Sequence, residues 1–153
     1  MELHVADTMV RDNYPGIGET IDLFNQASLD KSFCPPEPLG VLHSLERVLL
    51  LTMEVVDIPE GYVGLVMLRS TIARSGLMAP VTYADPGFKG TLTMEMFNSN
   101  KWELGLRPGT HLWNMLIVPA PFESLYLGRY QGQGDAIVLP KALSFERDMP
   151  FYE

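Results

Sequence analysis

The side chains best suited to chemistry lie close together near the middle of the chain. Two arginines and a hydroxyl come first, at Arg69, Ser70 and Arg74, and two acids follow at Asp85 and Glu95. Guanidinium groups and a hydroxyl are suited to binding an anion such as a phosphate, whereas a carboxylate can accept a proton from water. This combination predicts a small anion site close to acids that have either a chemical role or a cationic partner.

Glu95 lies within an alternating segment, residues 91–97. Leu92, Met94 and Met96 share one face of the predicted strand, and Glu95 projects from the other, because side chains in a strand swap faces with period two. A carboxylate in the middle of a strand opposes β-propensity, so it needs a solvated face, a cationic partner or a chemical role.

The neighbouring segments predict how these groups are held. An apolar strand at residues 64–68 leads into a short helical turn at residues 72–76, and the N–H groups at the start of such a turn can bind an anion. Residues 85–90, Asp-Pro-Gly-Phe-Lys-Gly, are typical of a turn because proline fixes φ and glycine adopts positive φ. Asp85 is therefore expected on a rigid corner.

Each of these residues also has a purely structural interpretation. Arg69 and Arg74 could stabilise the fold through ion pairs with the two acids. Ser70 could cap the helical turn, and Asp85 could be an ordinary turn residue. Glu95 could likewise be the acid of a cross-strand ion pair.

Length and composition bound the class of protein. A chain of 153 residues predicts one domain with a real core, and 12 prolines and 13 glycines between short apolar runs predict an all-β barrel or sandwich. No run of eighteen apolar residues and no signal-peptide pattern occur, which favours a cytoplasmic protein without a membrane partner. The net charge of −8 argues against a nucleic-acid partner, and the lone Cys34 agrees with a reducing compartment.

Several strands follow from the apolar runs. Residues 48–56 and 62–68 are expected to pair through a turn at residues 57–61, and further strands are expected at residues 111–118 and 136–139. The first two runs are apolar on both faces. This predicts the barrel interior on one side and a second sheet or a subunit contact on the other.

The sequence resembles the dCTP deaminase branch of the trimeric dUTPase superfamily. The similar motifs are Arg-Ser-Thr-Ile-Ala-Arg at residues 69–74, Asp-Pro-Gly-Phe-Lys-Gly at residues 85–90, Met-Glu-Met-Phe-Asn at residues 94–98 and Arg-Tyr-Gln-Gly-Gln at residues 129–133. The resemblance implies an all-β fold, a dUTPase-like distorted β-barrel or jelly roll, that assembles as a homotrimer with sites at subunit borders. It also implies a single domain over residues 1–153, in which residues 129–153 form a flexible C-terminal flap and tail.

The resemblance further implies the chemistry of the site. Glu95 would be the general base for attack of water on C4 of dCTP, which gives dUTP and ammonia. The implied substrate-binding residues are Arg69, Ser70, Arg74, Thr82, Asp85, Arg129 and Gln133. Mg²⁺ would be bound through the triphosphate. Zinc is not expected, since the His-x-Glu and Pro-Cys-x-x-Cys ligands of zinc deaminases do not occur in this sequence.

Two other functions stay open at this point. The chain could be a dUTP or dCTP pyrophosphatase in which Asp85 orients water, or a nucleotide-binding regulatory protein without catalysis. Residues 77–85, which correspond to the deaminases' base-reading hairpin, are shorter here and carry Pro80 where histidine is common. The sequence therefore leaves the base and the sugar undetermined.

Overall fold

The structure is a computed structural model that describes residues 1–121 and 124–148, and β-strands dominate it. The strands are β1 (Glu2–Arg11), β2 (Glu37–Pro38), β3 (Val41–Leu42), β4 (Arg47–Thr52), β5 (Val56–Asp57), β6 (Tyr62–Leu68), β7 (Leu77–Met78), β8 (Thr82–Ala84), β9 (Lys89–Gly90), β10 (Thr93–Asn98), β11 (Leu104–Gly105) and β12 (His111–Pro119). The helices are α1 (Gln26–Asp30), α2 (Ser70–Arg74) and α3 (Phe145–Asp148). None of these helices, which belong to the described residues, is long enough to cross a bilayer.

The main sheet curls into a barrel. Its strand order is β7-β10-β4-β1-β12-β6-β8, with β2 added beside β1, and each neighbouring pair is antiparallel. The edge strands β7 and β8 are joined by residues 79–81 alone. A link of that length spans on the order of 14 Å at most, so the end of β7 and the start of β8 lie near each other and the sheet is curled. The predicted all-β barrel class is confirmed.

The core fills the inside of this barrel. Inward-facing side chains of β1, β4, β10 and β12 are fully buried there; they include Val5, Leu50, Met94, Met96 and Trp113. The alternation predicted for residues 91–97 is confirmed for the inward positions. Burial of this continuous apolar surface is the main force that stabilises the barrel.

Thr91 departs from the predicted alternation. It was expected on the open face, yet it is 3% exposed. Its hydroxyl donates to the Gly134 carbonyl at 2.5 Å and its amide donates to the Gln133 carbonyl at 3.0 Å. A later segment of the chain therefore covers this residue and satisfies its polar groups.

The hairpin expected between residues 48–56 and 62–68 is wrong. Strand β4 pairs with β1 and β10, whereas β6 pairs with β12 and β8. Between them the chain forms β5, which pairs with β9 rather than with a sequence neighbour. Strand β4 was expected to be covered on both faces because its sequence is continuously apolar. This is confirmed, since all of its residues after Arg47 are buried.

The C-terminal region also differs from prediction. Residues 136–139 form no strand, although the Val138 amide donates to the Thr93 hydroxyl at 3.0 Å. The following residues dock near α1 through hydrogen bonds from Leu143 and Ala142. Residues 149–153 of the predicted flap and tail lie outside the described residues.

Candidate functional site

A cavity of about 420 Å³ lies where the curled sheet brings β8 close to β10 and β4. Its volume falls within the range of small-ligand pockets, roughly 300–1,000 Å³. Four of the predicted site residues contribute to its walls: Glu95, Thr82, Asp85 and Gln133. The barrel closure therefore brings together groups that are up to 51 positions apart in the chain.

Glu95 projects into the cavity from the middle of β10. It stands opposite Leu49 of β4, while Met94 and Met96 on either side of it point into the core. The side chain is half-buried. Within residues 1–121 and 124–148, its carboxylate accepts no hydrogen bond and forms no close ion pair. A carboxylate held in this way is available to a ligand.

Asp85 and Thr82 come from the opposite wall. Strand β8 places Thr82 beside Val66 of β6, and Asp85 follows at the start of the predicted turn. The Phe88 amide donates to the Asp85 carbonyl at 3.1 Å, and Gly87 has a φ of 76°. The turn conformation thus requires glycine at this position and fixes the corner that carries the acid.

Gln133 lies on a segment that is docked along β10. Besides its backbone contact with Thr91, its side-chain oxygen lies 3.4 Å from the Thr93 hydroxyl. Tyr126 and Tyr130 from the same region also line the cavity. The segment predicted as a flap therefore forms one wall of the cavity in this structure.

Arg129 does not line the cavity. Its guanidinium donates to the Ala142 carbonyl and lies 3.6 Å from the Asp148 carboxylate. The pKa of Asp148 lies below its ordinary value, first because the Ser144 amide donates to it and then because of Arg147 and Arg129. Arg129, which the sequence predicted to bind phosphate, thus contacts C-terminal residues of its own chain.

The first motif is also separate from the cavity. Arg69, Ser70 and Arg74 are exposed on and beside α2, and none of them lines the cavity. In the part of the chain that the structure describes, neither arginine forms an ion pair. The alternative that the arginines stabilise the fold through ion pairs with Asp85 and Glu95 therefore has no support. Helix α2 begins two residues before the predicted turn, and Gly76 ends it with a φ of 90°.

Sequence reasoning missed Arg47, which lines the cavity next to Phe33. Its Nε and Nη2 atoms donate to the two carboxylate oxygens of Asp12 at 2.8 and 2.7 Å, and its guanidinium lies 5.8 Å from the Phe33 ring centroid. The hydrogen bonds to Asp12 raise the pKa of Arg47, burial opposes the rise, and the charges of Asp12 and Glu95 add to it. A sequence signal existed, because Arg47 directly precedes the apolar run of residues 48–51.

These groups define what the cavity can do. A half-buried carboxylate can accept a proton from water, and the nearby hydroxyl and amide groups can hydrogen-bond a polar ring. Among the residues described, Arg47 is the cation on the cavity wall, and no cluster of three or more His, Cys, Asp or Glu residues could hold a metal ion. The cavity of one copy can thus hold a polar planar group. Among the described residues, however, its walls offer a single cation, Arg47, to a polyphosphate.

Comparisons with known proteins point to one family. A sequence model described as dCTP deaminase-like matches residues 10–118. A dCTP deaminase of Pyrobaculum neutrophilum is 39% identical over 124 residues, which cover 81% of this chain and 65% of that protein. A dCTP deaminase of Desulfurococcus amylolyticus is 42% identical over 95 residues, or 61% of this chain and 52% of that protein. The chain therefore spans about two thirds or less of the length of these relatives.

Solved structures with a similar fold come from phage dUTPases. The Staphylococcus bacteriophage 80alpha dUTPase with dUPNHPP has a TM-score of 0.51 and 22% identity, covering 58% of this chain and 69% of that one. A dUTPase mutant of phage phi11 of S. aureus, described with a structural Mg(II) ion, has a TM-score of 0.50 and 24% identity, covering 58% and 76%. At this level of identity the likeness concerns the fold, and it confirms the predicted dUTPase-like barrel.

Proposed function

Because the chain belongs to the dCTP deaminase-like family, we propose that it hydrolyses the 4-amino group of dCTP to give dUTP and ammonia. The observation that carries this proposal is the position of Glu95. It is an acid without a partner among the described residues, half-buried in a strand, on the wall of a cavity of ligand size. Such a group is suited to general base catalysis.

The proposed reaction needs one water molecule and a proton shuttle. Glu95 removes a proton from the water that attacks C4 of cytosine, and the proton passes to the ring nitrogen. Glu95 then transfers the proton of the new C4 hydroxyl group to the amino group, the C4–N bond breaks and ammonia leaves. The C4 carbonyl of dUTP remains, with the other proton of the water on the ring nitrogen. Thr82, Asp85 and Gln133, which line the same cavity, would orient the base and the sugar.

We assign the phosphate-binding role to α2 of a neighbouring copy. The three side chains of the first motif, Arg69, Ser70 and Arg74, are exposed, and neither arginine has an ion-pair partner among the described residues. They are therefore available to phosphates bound at the cavity of another copy. The outward face of β6 and β12 is apolar, with Met67 38% and Leu116 51% exposed in one chain. Burial of this face between copies in a homotrimer would place α2 of one copy at the cavity of the next.

Magnesium would reach this site with the nucleotide. Its ligands would be mainly triphosphate oxygens, and it would neutralise part of their charge. The described residues include no cluster of three or more His, Cys, Asp or Glu residues that could hold the ion by itself. The triphosphate would be held by the arginines and the serine of the first motif. The proposed proton transfers involve Glu95 rather than a zinc-bound water.

Product analysis tests the proposal directly. Purified protein is incubated with dCTP or dUTP, and ammonia and pyrophosphate are measured separately. We expect ammonia from dCTP and no pyrophosphate from either nucleotide. Pyrophosphate from dUTP, lost in an Asp85→Asn variant, would instead identify a pyrophosphatase. Asp85 on the cavity wall is the observation that keeps this second candidate.

A non-catalytic nucleotide-binding protein is the remaining alternative. Its motivation is that residues 77–85, which correspond to the deaminases' base-reading hairpin, are shorter here and carry Pro80. Calorimetry with dCTP distinguishes it, since heat of binding without later release of ammonia would replace the deaminase proposal by a regulatory one. The same titration, repeated with a purine nucleoside triphosphate, would measure how selective the cavity is for pyrimidines.

A further inference from the structure

Arg47 is the diagonal cross-strand neighbour of Glu95. Glu95 pairs with Leu49, and the next residue on the same face of β10, Phe97, pairs with Arg47. Diagonal neighbours have Cβ atoms roughly 7–8 Å apart, so long side chains at these positions can approach the same ligand. Both side chains line the cavity, and the charge of Glu95 acts on Arg47.

The guanidinium of Arg47 is held in a fixed orientation. Asp12 accepts hydrogen bonds from Nε and Nη2, and the guanidinium carbon lies 5.8 Å from the centroid of the Phe33 ring. This arrangement leaves Nη1 without a hydrogen-bond partner among the described residues. Because a guanidinium stays charged at any physiological pH, Arg47 presents a permanent, oriented donor to the cavity.

We propose that Arg47 and Glu95 together read the Watson–Crick edge of a 4-aminopyrimidine base, so that Arg47 determines selectivity for cytosine over uracil. In the bound substrate the carboxylate accepts from the 4-amino group, and the guanidinium donates to the lone pair of N3; this second hydrogen bond is lost when N3 is protonated during deamination. This inference rests on the proposed function and adds a recognition residue to it.

Uracil presents the opposite pattern to this pair. Its O4 atom is an acceptor that would face the Glu95 carboxylate, and its N3–H group is a donor that would face the Arg47 guanidinium. Both groups would be left without a proper partner, which makes a site of this kind selective. The same mismatch would promote release of dUTP after deamination.

Nucleotide binding by Arg47→Met tests the inference. Dissociation constants for dCTP and dUTP are measured by equilibrium dialysis in a Glu95→Gln background, which keeps an acceptor but prevents turnover. We expect dCTP binding to weaken by about tenfold or more, with dUTP binding changed by less than about twofold. Arg107→Met removes the same charge from an exposed turn outside the cavity and is the matched control.

The possible outcomes separate this inference from the proposed function. Equal weakening of both nucleotides, or no weakening, overturns the role of Arg47 whether or not dCTP is deaminated. Binding of dCTP without ammonia release by the wild type refutes the deaminase and leaves the selectivity test intact, whereas binding of neither nucleotide refutes both. If Arg47→Met does not fold, Arg47→Lys is used instead, because it keeps the charge but lacks the planar guanidinium group. The inference then requires that Arg47→Lys weakens dCTP binding while dUTP binding changes by less than about twofold.

Discussion

The backbone of Gln133 lies directly against Gly90. A Cβ atom on Gly90 would stand 2.7 Å from the Gln133 nitrogen and 2.8 Å from its carbonyl oxygen, and the φ of Gly90 is 152°. The neighbouring Thr91 amide hydrogen-bonds the same carbonyl. The contact between β9 and the segment around Gln133 therefore depends on the absence of a side chain at this position.

Gly90→Ala is expected to displace the Gln133 segment from β10. The added methyl group meets backbone atoms, which cannot rotate away as a side chain would. We expect proteolytic cleavage near residues 129–138 to become faster and the affinity for nucleotide to fall by about tenfold or more, because a cavity wall is lost. Gly134→Ala is the control, since a Cβ there meets no atom within 4 Å. Equal behaviour of the two variants would contradict the expectation.

Glu95→Gln is expected to stop deamination and to preserve binding. The amide keeps the shape and one acceptor, but it cannot take a proton from water, and general base catalysis contributes about 10²–10⁴-fold. Ammonia release and the affinity for dCTP are measured in parallel. Glu103→Gln makes the same change at an exposed position outside the cavity and should leave both unchanged. Undiminished ammonia production by Glu95→Gln would refute its assignment as the base.

Arg74→Gln is expected to weaken substrate binding without loss of stability. The side chain is exposed and forms no ion pair with the described residues, so the free energy of unfolding should change by less than about 0.5 kcal/mol. The KM for dCTP should rise by about tenfold or more if Arg74 contacts phosphate. Denaturant unfolding and steady-state kinetics measure the two effects.

Mixing the Glu95→Gln and Arg74→Gln variants, assayed at dCTP far below the KM, where each variant alone has about a tenth of the activity or less, tests whether sites are shared between copies. When Glu95→Gln and Arg74→Gln chains are refolded together, random assembly should place intact Glu95 and intact Arg74 at about one site in four. We expect about a quarter of the wild-type activity per site from the mixture. A mixture as inactive as its components would place both residues in the site of a single copy.

Asn98→Ala is expected to be strongly destabilising. Asn98 is fully buried, and its amide group donates to three carbonyls and accepts from one backbone N–H; the partners are Leu42, His43, Trp102 and Asn100. Removal leaves these groups unsatisfied, so the free energy of unfolding should fall by roughly 2–4 kcal/mol. Asn114→Ala, at an exposed position, should change it little. A loss below about 1 kcal/mol for Asn98→Ala would mean that water replaces the amide.

The local features of the site could be predicted from the sequence. The turn at Asp85, the outward position of Glu95 and the short helix after β6 depend on proline and glycine conformations and on period-two alternation, which act within a few residues. The motifs also indicated the family to which the chain belongs. Each of these signals is contained in the segment that it describes.

The tertiary structure alone decided which segments meet. The turn at residues 57–61 gave a hairpin signal, but β4 and β6 instead pair with strands far away in sequence, and these pairings bury the apolar side chains of β4. The curl of the main sheet placed Thr82 and Glu95 on the walls of the same cavity. It also left Arg74 outside the cavity that the sequence motif had suggested it would share.

Arg47 illustrates the same limit at the level of one side chain. The sequence by itself determined that a charged residue directly precedes the apolar run of residues 48–51 and that Glu95 lies off the apolar face of its strand. Only the pairing register of the two strands, with Asp12 and Phe33 brought in from elsewhere, placed this guanidinium beside that carboxylate. Register depends on contacts across the whole barrel, and no local pattern in either strand specifies it.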